Sequence, residues 1–379
     1  MNIVIYNPNS IGGNYEYSKF LLKGYKERAD VASVNLIFPV NTPDNETGIC
    51  KILLADVSKS KTRIIRQLYF VYRSLINPFR LLKFLRHRAD SVLIFNDYDQ
   101  LTSILWVPFF RRLKARHIFA VVLHDPDRDK YLPIRALSEF TMKKLMTLID
   151  VSLYHEYLPN KPYYEGTELK VNVPHGIYPK GKADSQFLQW LQGQKKATTV
   201  LGILGNIRGE KNYDLILNCL PALEDCQLLV AGLPSNSAVS VERYKEKIED
   251  LGLSQRVIWV DKYLSDGEMH AAIEFCDVIL MYYSGTFQSQ SGILNMIAPY
   301  HKKLLVSDAK SALLNTAITY QFAVIAESDS ERSFTESLLK LINMEPSMFI
   351  DGWINYIKAA SWERHVDLAI TAFKQVANK

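Results

Sequence analysis

Short apolar runs rich in Val, Ile and Leu alternate along this chain with longer stretches of helical periodicity. In the first half, Asn2–Tyr6, 31–38, 92–95, His117–Leu123, Val151–Tyr154 and 171–174 read as strands. Residues 15–28 and 134–148 read as helices between them. The second half repeats the alternation more cleanly. Strands are expected at Thr199–Leu204, 227–231, Val257–Val260, Val278–Met281, 304–307 and 322–325. Helices are expected at 213–220, 241–251, 265–275, 332–342, 346–359 and 362–376. Two successive series of β-branched strands alternating with helices predict an α/β protein with two doubly wound parallel-sheet, Rossmann-like domains facing a cleft. A ligand would be expected in that cleft.

Residues 282–308, YYSGTFQSQSGILNMIAPYHKKLLVSD, concentrate the candidate chemistry. A strand end passes through a small, polar, Gly-bearing loop into an apolar run that reads as a helix from about Ser291, then into another strand. Backbone N–H groups at a helix start, with the helix dipole, favour an anion there. Ser291 and Gly292 would let it approach the backbone closely. An ordinary βα turn with Ser as N-cap would read the same way. The first strand expected in the second half, Thr199–Leu204, ends in Gly205-Asn-Ile-Arg-Gly-Glu-Lys211, which places Arg208 and Lys211 in a loop before a helix.

Composition is ordinary for a globular protein: 379 residues, 48% hydrophobic and 22% charged, so two domains with ample cores are expected. No apolar run approaches the roughly 18–20 residues of a spanning helix, and the opening MNIVIYNP reads as a strand and not as a leader. A cytoplasmic location is the expectation. Cys50, Cys219, Cys226 and Cys276 form no CxxC pair and sit in or beside apolar elements, so buried free thiols are expected rather than zinc ligands or disulfides.

The charge is unevenly distributed. Residues 1–180 hold 26 Lys and Arg against 17 Asp and Glu (net +9), whereas residues 181–379 hold 19 against 23 (net −4). The stretch from Lys59 to Asp90 carries nine basic residues and one acid. Among them are Lys59, Lys61, Arg73, Arg80 and Lys83, interleaved with Leu, Ile and aromatic residues. Pro78 is expected to split it into two helical pieces. Arg111 and Arg112 add a second basic cluster. This pattern suits an interfacial helix on an anionic membrane; a core-packing helix pair with a solvated basic face is the alternative. No nucleic-acid-binding module accompanies the charge, so no nucleic-acid partner is expected.

Polar groups follow two strands of the first half: Asn96-Asp97-Tyr98-Asp99 and His124-Asp125-Pro126-Asp127-Arg128-Asp129. Open α/β sheets place ligands at such strand ends. The alternation of Asp125, Asp127 and Asp129 suggests a calcium loop, but Lys130 stands where that loop needs Gly, and no metal is expected. The opening strand–Gly12-Gly13–helix is shorter than a dinucleotide fingerprint.

Taken together, the chain resembles the GT-B glycosyltransferases, in particular the large retaining group numbered family 4. The resemblance rests on Gly12-Gly13 after the first strand, on His124-Asp-Pro, on GNIRGEKNYDLIL at 205–217 and on QSGILNMIA…KKLLVSD at 290–308. His175-Gly176 is similar to the family's hinge, and Trp362 to the start of its C-terminal helix. The resemblance implies a basic, acceptor-binding domain over 1–175, a nucleotide-sugar-binding domain over 176–360 and a helix over 361–379 that packs back on the first domain. It assigns Gly13, Arg208, Lys211, Ser291 and Gly292 to the donor diphosphate, and His124 and Asp125 to the reacting sugar. The family's usual E-x7-E pair is degenerate here: Asn295 stands at the second Glu and Phe287 near the first. Asn295 is then expected at a ribose hydroxyl, with Gln288 and Gln290 as neutral replacements near the sugar.

The implied reaction moves a hexose from a UDP- or GDP-sugar to a lipid-linked or surface-polysaccharide acceptor, with retention and without metal or other cofactor. Charge developing on the departing diphosphate would be met by Arg208 and Lys211. An inverting reaction would instead need a carboxylate base such as Asp97, Asp99 or Asp125. Arg73, Arg80, Lys83, Arg111 and Arg112 are expected to face the membrane or acceptor. The missing Glu pair keeps open a non-catalytic GT-B-like partner subunit, and the fold is shared with sugar-nucleotide 2-epimerases.

Overall fold

Seven strands form one parallel sheet: β1 (Asn2–Tyr6), β2 (Ser33–Pro39), β3 (Ile49–Leu53), β4 (Ser91–Phe95), β5 (His117–Leu123), β6 (Val151–Tyr154) and β7 (Leu169–Asn172). Their order is β3-β2-β1-β4-β5-β6-β7, so the direction of winding reverses between β1 and β4. Ile5 pairs with Leu36 on one side and Ile94 on the other. The central strands are buried on both faces, which is why they read as unbroken apolar runs. The computed structural model describes residues 1–57, 62–129, 131–166, 168–235, 239–288 and 290–378; Lys59, Lys61 and Lys130 lie outside the described residues.

Helices α1 (Gly13–Lys26), α2 (Arg63–Arg86), α3 (Ser103–Arg111) and α4 (Arg135–Met146) connect these strands. Leu81, Leu85, Trp106, Phe110, Met142 and Leu145 bring α2, α3 and α4 onto one sheet face. The other face is covered by α1 and by the last helix, Trp362–Ala377, through Val366, Ala369, Ile370 and Phe373. Met1–Gly176 and Ser361–Lys379 accordingly form one unit, and Ile177–Ala360 a second.

Two expectations in the first unit need correction. Helix α2 runs unbroken through Pro78. Proline there removes the N–H that would bond the carbonyl four residues earlier, and that carbonyl, on Ser74, instead accepts the Thr102 hydroxyl at 3.2 Å. Strand β3 is a second addition to the expected pattern: it is a half-buried edge strand, and its ICKIL sequence lacks the uniform apolarity of a buried one.

The second unit holds β8 (Thr199–Leu204), β9 (Cys226–Ala231), β10 (Val257–Val260), β11 (Val278–Met281), β12 (Lys303–Ser307) and β13 (Val324–Ala326). All are parallel, in the order β10-β9-β8-β11-β12-β13, with the reversal between β8 and β11. Helices α5 (Ser185–Gly193), α6 (Tyr213–Cys219), α7 (Val241–Asp250), α8 (Asp266–Phe275), α9 (Gly292–Ile297), α10 (Ala312–Tyr320), α11 (Glu331–Asn343) and α12 (Ile350–Ala359) surround the sheet. Neither α5 nor α10 was foreseen; each is nine residues long and starts at a side-chain cap, Asp184 and Ser311 respectively. All four cysteines are free, and three are buried. Among the described residues no helix is long and apolar enough to cross a membrane.

Candidate functional site

In an open parallel sheet, the carboxyl ends of the two strands that flank the winding reversal diverge their connections and leave a ligand-sized gap. In the second unit those strands are β8 and β11. The loop leaving β8 begins at Gly205, whose φ of +81° suits glycine. A Cβ there would stand 2.9 Å from the Ile293 side chain. Ile207 anchors the loop through Ile207 N to Leu233 O and Ser235 N to Ile207 O. The loop leaving β11 is tied to it by Ser284 N donating to Glu210 O at 2.8 Å.

Arg208 and Lys211 share this loop but face different surroundings. Arg208 is exposed, and no hydrogen bond or ion pair among the described residues engages its guanidinium. Lys211 is 8% exposed, and its Nζ donates to Leu204 O at 2.6 Å and Gly205 O at 3.3 Å. Burial, reinforced by the neighbouring Arg208 charge, pulls the ammonium down to a pKa of about 7. An anion at Arg208 would therefore meet one available fork and one cation that is easily discharged.

Across the gap, Ser291 precedes α9. Its hydroxyl does not cap the helix; it pairs with Tyr283 Oη at 3.0 Å. Tyr283 stacks on Phe287 with ring centroids 3.9 Å apart. The position near the family's first Glu is therefore an aromatic wall. Gly292 is exposed, and a Cβ there would meet nothing within 4 Å, so its backbone is open to approach. The helix it starts has only six α-helical residues, less than the apolar run suggested, and continues as a 3-10 turn over Ala298–Tyr300. Gln288 is exposed. Gln290 is fixed away from solvent-facing work by Thr316 Oγ1 at 3.0 Å and its own neighbour's Ser291 N–H.

Asn295 is a correction. It is wholly buried, and its Oδ1 accepts from Tyr356 Oη of α12. A side chain in that position is not available to a ribose hydroxyl. Residue 295 lies one turn into α9, where the helix face is turned to the core.

In the first unit, β5 delivers His124. Its Nε2 stands 2.9 Å from Asn96 Oδ1. The Asn96 amide nitrogen donates to Asn14 O and to Ser18 Oγ, both at 2.8 Å. Those bonds fix Oδ1 as the acceptor, so Nε2 carries the proton and Nδ1 is left as an acceptor. Burial and the nearby His175 and Arg128 push the imidazole down to about 3, so it stays neutral. His124 also packs edge-on to Tyr17 at 4.6 Å between centroids. Around that same ring stand His155, His175, Trp362 and His365. Of these, only His175 and Trp362 were singled out in the sequence.

Asp125 is exposed beside His124. Asp127 and Asp129 are engaged by Lys161 at 3.3 and 2.6 Å. Gly12, with φ +91°, turns the chain into α1, and a Cβ on Gly13 would meet nothing within 4 Å. Of the basic residues expected on the membrane or acceptor face, Arg80, Lys83, Arg111 and Arg112 are exposed. Arg73 is not: it is 9% exposed and its Nη1 donates to Pro8 O at 3.0 Å. It points to the sheet's carboxyl end because residue 73 shares the inward stripe of α2 with Ser74 and Asn77.

No family model and no curated protein sequence matches the chain. Solved structures do. Sucrose-phosphate synthase from Thermosynechococcus elongatus is similar over 100% of this chain and 99% of its own, with TM-score 0.72 and 11% identity. The E. coli trehalose-6-phosphate protein bound with UDP-2-fluoro glucose matches over 99% of each chain, with TM-score 0.67 and 11% identity. Anabaena HepE in complex with UDP matches over 100% and 99%, with TM-score 0.65 and 11% identity. At this identity the likeness establishes architecture: the chain has the two-unit, parallel-sheet fold of the GT-B type along its whole length.

Proposed function

We propose that the protein is a glycosyltransferase of the family 4 kind. It takes a hexose from a UDP- or GDP-sugar and delivers it to a lipid-linked or surface-polysaccharide acceptor, with retention and without metal. The observation that carries this reading is the disengaged Arg208 guanidinium at the β8–β11 reversal, beside the open backbone of Gly292. A diphosphate bound there would accept a forked charge-assisted pair from Arg208 and N–H donors from the α9 start. Lys211 beneath it would add charge as the arriving anion raises its proton affinity. As the C1–O bond breaks, these groups hold the charge that grows on the leaving phosphate. The acceptor side falls to the first unit, which also brings neutral His124, whose Nδ1 is offered to a hydroxyl of the reacting sugar. The structural neighbours, one bound to UDP and one to UDP-2-fluoro glucose, support a nucleotide-sugar donor.

Titration calorimetry with UDP and GDP tests this. Wild type is expected to bind one of them, and Arg208→Ala to weaken it by about tenfold or more, the value of a charge-assisted hydrogen bond of roughly 1.5–3 kcal/mol. Absence of binding to either nucleotide refutes the donor site.

The same proposal places the protein at an anionic membrane. On α2, Ile64, Ile65, Leu68 and Tyr72 are each at least half exposed, and Leu105 on α3 is 53% exposed. Exposed Arg80, Lys83, Arg111 and Arg112 lie on the same two helices or at their ends. Apolar side chains for the acyl boundary and cations for the headgroups occur together. Flotation with anionic vesicles should fall with salt and with charge reversal at Lys83, Arg111 and Arg112; no flotation at any salt counts against it. A non-catalytic subunit is the second reading. It is favoured by Phe287 stacked on Tyr283 and by the buried Asn295, which leave neither position of the Glu pair with an acidic group.

A further inference from the structure

Two asparagines follow the strands that flank the first unit's own winding reversal, Asn7 after β1 and Asn96 after β4. Both are wholly buried. A buried primary amide has two N–H groups and one oxygen to satisfy. The start of α1 takes the N–H groups of both. Asn7 Nδ2 donates to Asn14 O at 3.0 Å and to Ser18 Oγ at 3.1 Å; Asn96 Nδ2 donates to the same two atoms at 2.8 Å. Ser18 Oγ gives its own proton to Asn14 O at 2.8 Å. The two amide oxygens then serve different ends. Asn7 Oδ1 accepts Asn9 N at 3.1 Å, a local turn, whereas Asn96 Oδ1 lies 2.9 Å from His124 Nε2 at the end of the neighbouring strand.

Asn96 has one orientation open to it. Asn14 O can only accept, so rotating the amide would set two carbonyl oxygens against each other in a buried place. No other group settles the His124 ring. It faces Tyr17 on α1, Arg128 in the loop after β5, His155 and His175 after β6 and β7, and His365 on the last helix. Among the described residues none of these hydrogen-bonds to it, and the next residue, Asp125, is exposed. One guanidinium and several uncharged rings favour a neutral imidazole, which has one N–H and one lone pair to place. With Nε2 committed to Asn96, the lone pair falls on Nδ1. That atom accepts only from a group that carries a hydrogen, so it can address a hydroxyl and not a phosphate or carboxylate oxygen.

We propose that Asn96 is the positioning residue that decides what His124 can do: by holding the Nε2–H tautomer, it reserves Nδ1 as an acceptor for one hydroxyl of the bound sugar. A carboxylate of the same shape at position 96 would instead draw a second proton onto the ring and turn Nδ1 into a donor. That the hydroxyl belongs to the reacting sugar rests on the glycosyl-transfer reading; the fixing of the tautomer does not.

Nitrogen NMR of the full chain with labelled histidine reads the tautomer directly, the His124 signals being those lost in His124→Gln. Wild type is expected to show one neutral Nε2–H form from about pH 5 to pH 8. Asn96→Ala is expected to mix the tautomers. It should also slow release of UDP or GDP from UDP-glucose, UDP-N-acetylglucosamine or GDP-mannose about tenfold while nucleotide affinity stays within about twofold. Asn7→Ala is the control: it breaks the matching bonds to Asn14 and Ser18, so it costs comparable stability, but it leaves tautomer and rate in place. Asn96→Asp raises the imidazole pKa by about 1–3, so its rate gains an acid limb at about pH 5 that wild type lacks. The Nδ1–H form in wild type overturns the assignment. So does a tautomer that Asn96→Ala leaves unchanged in a folded protein, or an equal loss of rate in Asn7→Ala. Should Asn96→Ala not fold, the wild-type spectrum and Asn96→Asp decide. The expected tautomers without binding of UDP or GDP uphold Asn96 and refute the glycosyl-transfer reading instead.

Discussion

Replacing Lys211 by Met tests the most unusual electrostatic feature of the second unit. The side chain is buried with its Nζ on two main-chain carbonyls, and its pKa falls from 10.5 to about 7. Between those values the unfolded chain keeps the proton while the folded chain releases it. The unfolded state therefore binds more protons, and stability rises with pH across this window. Below about pH 7 both states are protonated, and the folded state carries the buried charge in full. From pH 7 to pH 9 the gain amounts to about 2.3 kcal/mol when 1.36 kcal/mol is taken per pKa unit and half-titration at pH 7 is allowed for. Lys211→Met keeps the methylenes and removes the titration. Urea unfolding of wild type and variant at pH 7, 8 and 9, followed by tryptophan fluorescence, isolates the effect as a difference, since the other groups cancel. The variant should gain relative stability at pH 7 and lose that advantage by pH 9. Parallel stability profiles for the two proteins would refute the reasoning.

Two further perturbations follow from the structure. His365 is wholly buried and accepts no charge easily: its pKa lies at about 4, as does that of His175. The unfolded state takes up these protons first, so stability falls as pH drops from about 6.5 toward 4. His365→Gln should shallow that acid limb by close to one proton in an acid titration of melting temperature; an unchanged slope contradicts the assignment. Gly232→Ala would drive a Cβ into the Gly205 carbonyl. Backbone yields poorly, so a loss of about 1–3 kcal/mol and weakened UDP or GDP binding are expected in calorimetry, through displacement of the Arg208 loop.

Most of the architecture was legible because parallel strands covered on both faces have little choice of residue. The runs at β1, β4, β5, β8 and β11 are almost wholly buried, and each was placed within a residue or two. What the residues did not show was orientation. A loop containing Arg and Lys three positions apart says nothing about which of them reaches solvent, and Lys211 turned inward to the β8 carbonyls. The face of a six-residue helix is equally undetermined by its sequence, and Asn295 fell on the core side, under Tyr356. Pro78 misled because its effect depends on a hydroxyl 24 residues away, that of Thr102. The histidines around Tyr17 come from separate stretches of the chain. They meet because β5, β6 and β7 are adjacent in the sheet and the last helix lies over them, a fact of topology that no local pattern carries.

The first unit is also discontinuous in the chain, and this constrains when it can finish folding. Tyr17 Oη and the His365 ring, 3.3 Å apart, are separated by 348 residues. A ribosome has released all of Ile177–Ala360 before the helix at 362–377 exists. Until then the sheet face over α1 lacks the apolar cover of Val366, Ala369 and Phe373. The nascent first unit must wait in that exposed state while the second unit folds as a contiguous block, which makes this face a natural place for chaperone contact during synthesis.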